Sequence, residues 1–195
     1  MAPLIASWAT LRSGAPGIAV WGVLFAVVLV QPPSAAPALP KEYQVKAVFL
    51  FNFTQFTVWP AGTFAGSDSS IVIGILGTDP FGSVLDEVVS GERFQDRPIA
   101  IKRFARAEDV SGCRILFIGG VDPEEAKKAF ALCKKHRILS VGESEQFAGS
   151  GGMIQFFTQH GKIRLRIDMD PVRAAGLNLS SKLLRLAEVL SPAKD

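Results

Sequence analysis

Few side chains in this chain of 195 residues have the type and spacing that chemistry requires. The two histidines, His136 and His160, stand apart, one in the basic run Lys134-Lys135-His136-Arg137 and one in Gln159-His160-Gly161. Neither has a second ligand at i, i+4 spacing, so no metal site is expected. No serine has the context of a nucleophile elbow, and no catalytic residue is nominated. Asp168 and Asp170 could share a face and bind a cation or an amine, but strand termination with a helix cap at Asp170 explains them more simply. Arg173 and Arg185, near the predicted strand ends, are candidates for recognising a carboxylate or phosphate in a ligand pocket.

The two cysteines, Cys113 and Cys133, flank a predicted strand and the helix that follows it. A strand of five or six residues advances roughly 17 to 20 Å and a helix of about 12 residues returns roughly 18 Å, so the two ends should meet. They are a disulfide candidate in an oxidising compartment; two buried, unbonded thiols are the alternative.

Phosphate chemistry finds no support. Two predicted strand-to-helix turns read Gly77-Thr78-Asp79-Pro80 and Gly120-Val121-Asp122-Pro123. Each puts a carboxylate where it can cap the helix and removes one N–H, which opposes an incoming anion. Neither GxGxxG nor GxxxxGK[ST] occurs, and Gly149-Ser150-Gly151-Gly152 precedes a strand, the wrong context for a phosphate loop. No nucleotide or other cofactor is implied.

The front of the chain restricts the compartment. Ile18 to Val30 (IAVWGVLFAVVLV) is uncharged and apolar, preceded by Arg12 and followed by Pro33-Ser34-Ala35-Ala36-Pro37-Ala38. This is the layout of a signal peptide over residues 1–38 with cleavage near 36–38; an uncleaved anchor is the minority alternative. Residues 39–195 are then one exported domain. The segment removed carries one of the 21 basic side chains and none of the 18 acidic ones, leaving a net charge of +2. So small and scattered an excess does not suggest nucleic acid.

The elements alternate. Lys41 to Trp59 predicts a helix stopped by Pro60 and apolar over most of its circumference, suited to burial on several sides or to an interface. Ile71–Leu76 reads as an interior strand, followed by a helix through Val89 and strands at 99–104 and 115–118. A helix to Lys135 and a strand at 138–141 come next, then a hairpin of 153–158 with 162–167. In the second hairpin strand Lys162, Arg164 and Arg166 alternate with Ile163, Leu165 and Ile167, giving one basic face. A short helical turn from Asp170-Pro171, an extended stretch at 177–179 and a last helix, SKLLRLAEVL, complete the chain. The pattern predicts an α/β three-layer sandwich: a mixed, mostly parallel sheet, a C-terminal antiparallel hairpin and helices on both faces.

Five segments carry a resemblance that extends over nearly the whole exported domain: KAVFLFNFTQFTVWP at 46–60, ILGTDPFG at 75–82, GCRILFIG at 112–119, VGESEQFAGSGGMIQF at 141–156 and GLNLSSKLLRLAEV at 176–189. In this order they resemble the YfiR family of periplasmic regulators. The resemblance implies a three-layer α/β fold and a non-enzymatic role: repression of an inner-membrane diguanylate cyclase through its periplasmic region, lowering cyclic-di-GMP output and biofilm formation. It also implies an outer-membrane lipoprotein that can sequester the repressor, and redox control through disulfides. Two cysteines here leave room for one bridge, where the characterised member has two. Phe49, Phe53 and Phe56 on the aromatic helix, with Arg164 and Arg166 as a polar rim, are the candidate surface for a partner or for a homodimer seam. The other hypothesis is a periplasmic small-molecule sensor whose ligand sets partner affinity.

Overall fold

A computed structural model describes residues 40–64 and 70–190; the expected signal peptide lies outside them. Short apolar runs build the sheet. β2 (Ile71–Gly77) and β5 (Ile115–Gly119) are almost wholly buried, and both turn side chains to two cores. On one face Ile71, Ile73, Ile75, Ile115 and Phe117 meet α1 (Lys41–Phe56) and α2 (Ser83–Val89). On the other, Val72, Leu76, Leu116 and Ile118 meet a 3₁₀ turn (Ala107–Gly112) and α3 (Pro123–His136). Gly74 of β2 is forced by this second core: a Cβ there would lie 2.6 Å from Cys113 Sγ and 2.9 Å from Leu116 Cδ1.

The remaining elements are β1 (Thr57–Val58), β3 (Arg93–Phe94), β4 (Arg97–Phe104), β6 (Leu139–Gly142), β7 (Ile154–Gln159), β8 (Lys162–Asp168), α4 (Met169–Ala174), β9 (Asn178–Leu179), α5 (Ser181–Leu184) and β10 (Ala187–Leu190). The eight-stranded sheet runs β10-β8-β7-β6-β5-β2-β4-β3. Strands β4, β2, β5, β6 and β7 are mutually parallel. The β7–β8 hairpin is antiparallel, as predicted, and so is the β3–β4 pair at the other edge. The fold is therefore the expected α/β sandwich, with helices on both faces of a mostly parallel sheet. Its strand order reverses at β2, which has β4 on one side and β5 on the other, and the carboxyl ends of strands beside such a reversal are where α/β proteins form crevices.

Two local expectations are corrected. The first helix ends at Phe56 rather than Trp59, because Thr57 turns extended and pairs with Leu179 in a two-stranded antiparallel sheet of β1 and β9. β-branched Thr57 and Val58 suit that strand, and Pro60 cannot extend a helix beyond them. The last helix is only Ser181–Leu184, capped by the Ser180 hydroxyl, and residues 187–190 form β10, parallel to β8. The open edge of β8 offers unpaired backbone groups that a helix would leave unsatisfied. Of the stripe Leu183, Leu184, Leu186, Ala187 and Leu190, only Leu183 is fully buried, while Leu186 is 64% exposed.

Candidate functional site

α1 has two unlike faces. Ala47, Leu50, Phe53 and Thr54 are buried against the sheet, with Phe53 stacked on Phe156 of β7 at 6.0 Å between centroids. Phe53 is therefore a core residue and cannot reach a partner, contrary to the expectation. Phe49 and Phe56 are half-buried and pack on the same core. Outward stand Val45 and Val48, 45% and 46% exposed. With Gln44, Phe49 and Asn52 they line a shallow depression of about 330 Å³. The apolar surface thus comes from valines, which sequence inspection passed over in favour of the larger rings.

Lys46, one residue along, points inward among those rings. It is 97% buried, with Nζ 2.5 Å from Glu42 Oε1 and 2.5 Å from Glu143 Oε2. The ammonium also lies 4.6 Å from the Tyr43 ring centroid, and the Tyr43 hydroxyl donates to Glu143 Oε1 at 3.3 Å. Burial alone would pull the Lys46 pKa down; hydrogen bonds to Glu143 and Glu42, with their charges, outweigh it and hold the pKa above the ordinary lysine value. Burial and the Glu143 charge raise the Tyr43 pKa. This cluster was missed from the sequence, although a lone lysine inside the apolar stretch Val45 to Phe51 was its visible signal.

Glu143 follows β6 and lines a cavity of about 670 Å³ at the carboxyl ends of β5 and β6. The aliphatic and aromatic lining is Ile118, Val121, Phe130 and Phe147; Glu124, Lys127 and Glu145 stand exposed around it. Asp122 closes the nearby start of α3 as predicted, its carboxylate accepting the Glu125 N–H at 2.9 Å. Asp79, by contrast, does not cap α2, which starts only at Ser83 with Gly82 in the cap position; its carboxylate accepts the Phe81 N–H at 2.7 Å and closes the loop instead.

The structure does not bring the candidate arginines together at this cavity. Arg173 is exposed and pairs with Asp170 at 3.5 Å, and Arg185 is also exposed; neither lines the cavity. The helix cap predicted at Asp170 falls to Asp168 instead, which accepts the Asp170 N–H at 2.9 Å. Arg164 is exposed as expected. Arg166 is half-covered, pairing with Glu188 of β10 at 3.1 Å and lying 4.6 Å from the Phe157 ring centroid, so the strand that replaced the last helix takes part of the basic face.

Cys113 and Cys133 are buried free thiols in one apolar cluster with Val72, Leu76 and Ala129, the alternative that the sequence left open. Burial pushes the Cys113 thiol up to about 12 and the Cys133 thiol up as well, so neither is a ready nucleophile at neutral pH.

The family model described as YfiR/HmsC-like matches residues 43–188, from Tyr43 of α1 to Glu188 of β10. The chain belongs to the YfiR/HmsC-like family. The match takes in Lys46, Tyr43, Glu143 and the cavity wall, while Glu42 lies one residue before it. No curated protein sequence matches this YfiR/HmsC-like chain. Among solved structures, a conserved domain protein from Vibrio cholerae O1 biovar El Tor str. N16961 aligns with TM-score 0.44 at 9% identity, covering 62% of this chain and 54% of that one. An ABC domain in complex with L-Trp from Streptococcus pneumonia aligns with TM-score 0.42 at 8% identity, covering 62% and 55%. The chain thus spans little more than half the length of these structures. No helix among the described residues is long and apolar enough to cross a membrane.

Proposed function

We propose that this chain is a non-enzymatic periplasmic regulator that binds the periplasmic region of an inner-membrane diguanylate cyclase, or a similar receptor, and represses it, lowering cyclic-di-GMP signalling. Membership of the YfiR/HmsC-like family over residues 43–188 carries the reading. The export-signal layout of residues 1–38 agrees with a periplasmic site of action. The mode of binding is occupancy: exposed Val45 and Val48, flanked by Phe49, offer an apolar centre that a partner would cover. An outer-membrane lipoprotein that sequesters the regulator would compete for it, and a second copy of the chain would use the same face as a homodimer seam.

The test is a pull-down from detergent-solubilised inner membrane with protein recovered from the periplasm of cells expressing the full chain. Recovery of a cyclase-type receptor by the native protein, and its loss in a Val45→Glu/Val48→Glu variant of unchanged circular dichroism, is the expected result. Retention of no receptor by the native protein would overturn the reading. Running the experiment under oxidising and reducing conditions decides whether a Cys113–Cys133 bridge gates binding: recovery only when oxidised supports the gate, and equal recovery removes it.

A further inference from the structure

The cavity at the ends of β5 and β6 has walls set before any ligand arrives. The Phe147 ring is clamped between two glycines: a Cβ on Gly142 would lie 2.3 Å from it and one on Gly152 2.2 Å. Phe130 meets the ring edge-on at 5.3 Å between centroids. With Ile118 and Val121 these rings make a fixed apolar wall, and a volume of about 670 Å³ is in the range of small-molecule sites.

The charges around that wall select the ligand. Glu124, Glu145 and Glu143, the last already paired with Lys46 of α1, line the cavity against one lining cation, Lys127. The start of α3 cannot serve an anion, since Asp122 already caps it, Pro123 has no N–H, and Glu124 and Glu125 fill its first turn. An apolar wall facing an excess of carboxylates suits an organic cation with an apolar body.

Glu143 gives this cavity a connection to α1. Its two oxygens receive Lys46 and Tyr43, both on α1, although 97 residues separate Lys46 from Glu143. A ligand ammonium drawn to Glu143 competes with Lys46, which keeps Glu42 of its own helix as counter-ion. The side chains of Val45 and Val48 leave the same helix within two residues of Lys46.

We propose that this cavity binds an organic monocation with an apolar body, and that α1 senses its occupancy through the Glu143–Lys46 ion pair. The regulatory meaning of that coupling rests on the repressor reading above; the binding itself does not, and it is measured without any receptor.

The probe is phenethylamine, protonated at neutral pH, with phenylacetate as the charge-inverted control, titrated into isotope-labelled protein produced from the full chain. Phenethylamine should shift the backbone amides of Gly119, Gly120 and Phe147 and, in parallel, those of Tyr43 to Phe49, while phenylacetate should bind at least tenfold more weakly. Glu124→Gln and Glu145→Gln should each weaken phenethylamine severalfold. Glu143→Gln should weaken phenethylamine as well and, at saturating ligand, keep the cavity shifts while removing those on α1. Equal binding of phenylacetate, absence of cavity shifts, or unchanged affinity in both Glu124→Gln and Glu145→Gln would overturn the site. Cavity shifts without any response on α1 in the native protein would overturn the coupling.

Discussion

Arg103 and Lys46 each hold two carboxylates near the carboxyl edge of the sheet, yet the two clusters differ in what surrounds them. The Arg103 fork reaches Asp79 at 2.7 Å, Asp86 at 2.6 Å and the Gly82 carbonyl at 2.8 Å, while its side chain stays 43% exposed. It fastens the β2–α2 turn to the neighbouring strand, with water close by. The Lys46 side chain is 4% exposed, and it joins α1 to the segment after β6. The same count of charges therefore has different consequences. Around Arg103 water can replace a lost partner, whereas around Lys46 the partners themselves make burial of the ammonium tolerable.

The widest separation of the two clusters should come from truncation. Lys46→Ala removes a buried stem as well as the cation and should cost about 2–4 kcal/mol in urea unfolding. Lys46→Met restores the stem, and Glu42 and Glu143 are open enough to be hydrated, so its cost should fall to about 1 kcal/mol. Equal loss in both variants would mean that charge, rather than packing, dominates the site.

Arg103→Ala should cost less, about 1 kcal/mol, because the pairs it breaks are exposed. Its cost should shrink further when the unfolding is repeated in 1 M salt, where screening acts over roughly 3 Å. The cost of Lys46→Met should change little, since counter-ions do not reach the buried ammonium. A salt response of equal size at both positions would erase the contrast between them.

This contrast was only half legible in the sequence. The sheet could be read because Ile71–Leu76 and Ile115–Ile118 are continuous apolar runs, a pattern set by burial on both faces of each strand. The Asp122 cap was also legible, since Asp-Pro acts through its own local backbone, whereas the same pair at Asp79 closes a loop and α2 begins only at Ser83. The β10 strand was not, because Ala187 to Leu190 has helical spacing and only the open edge of β8 decides against it. Phe53 and Val45 could not be sorted for a related reason: on a helix apolar nearly all round, which stripe faces the sheet is a tertiary choice. Lys46 and Glu143 lie 97 residues apart, so their pairing had no local signature at all. The cavity shares that limit, as its lining comes from β5, α3 and the segment after β6.

The smallest effect lies in the pH dependence, where the two clusters should fail at opposite ends. The Lys46 pKa is raised above 10.5, so its stabilisation is whole below that value and is lost as pH climbs through the raised one. The Asp86 pKa is lowered below 3.8, chiefly by the Arg103 hydrogen bond, so its contribution is present above that value and fades as pH falls through the lowered one. Urea midpoints across pH for native protein, Lys46→Met and Arg103→Ala separate the two. Half-buried Tyr43 and buried Cys113 and Cys133 also favour folding less as pH rises; the cysteines sit in the other core and cancel in the differences, whereas Tyr43 feels the Lys46 charge and adds to the Lys46 difference in the same alkaline range. The native-minus-Lys46→Met difference should be flat through neutrality and move only above about pH 10.5. The native-minus-Arg103→Ala difference should move only below about pH 4. Movement of the Lys46 difference near neutral pH would mean that the ammonium already exchanges its proton there, and its two carboxylates would then not be holding it charged.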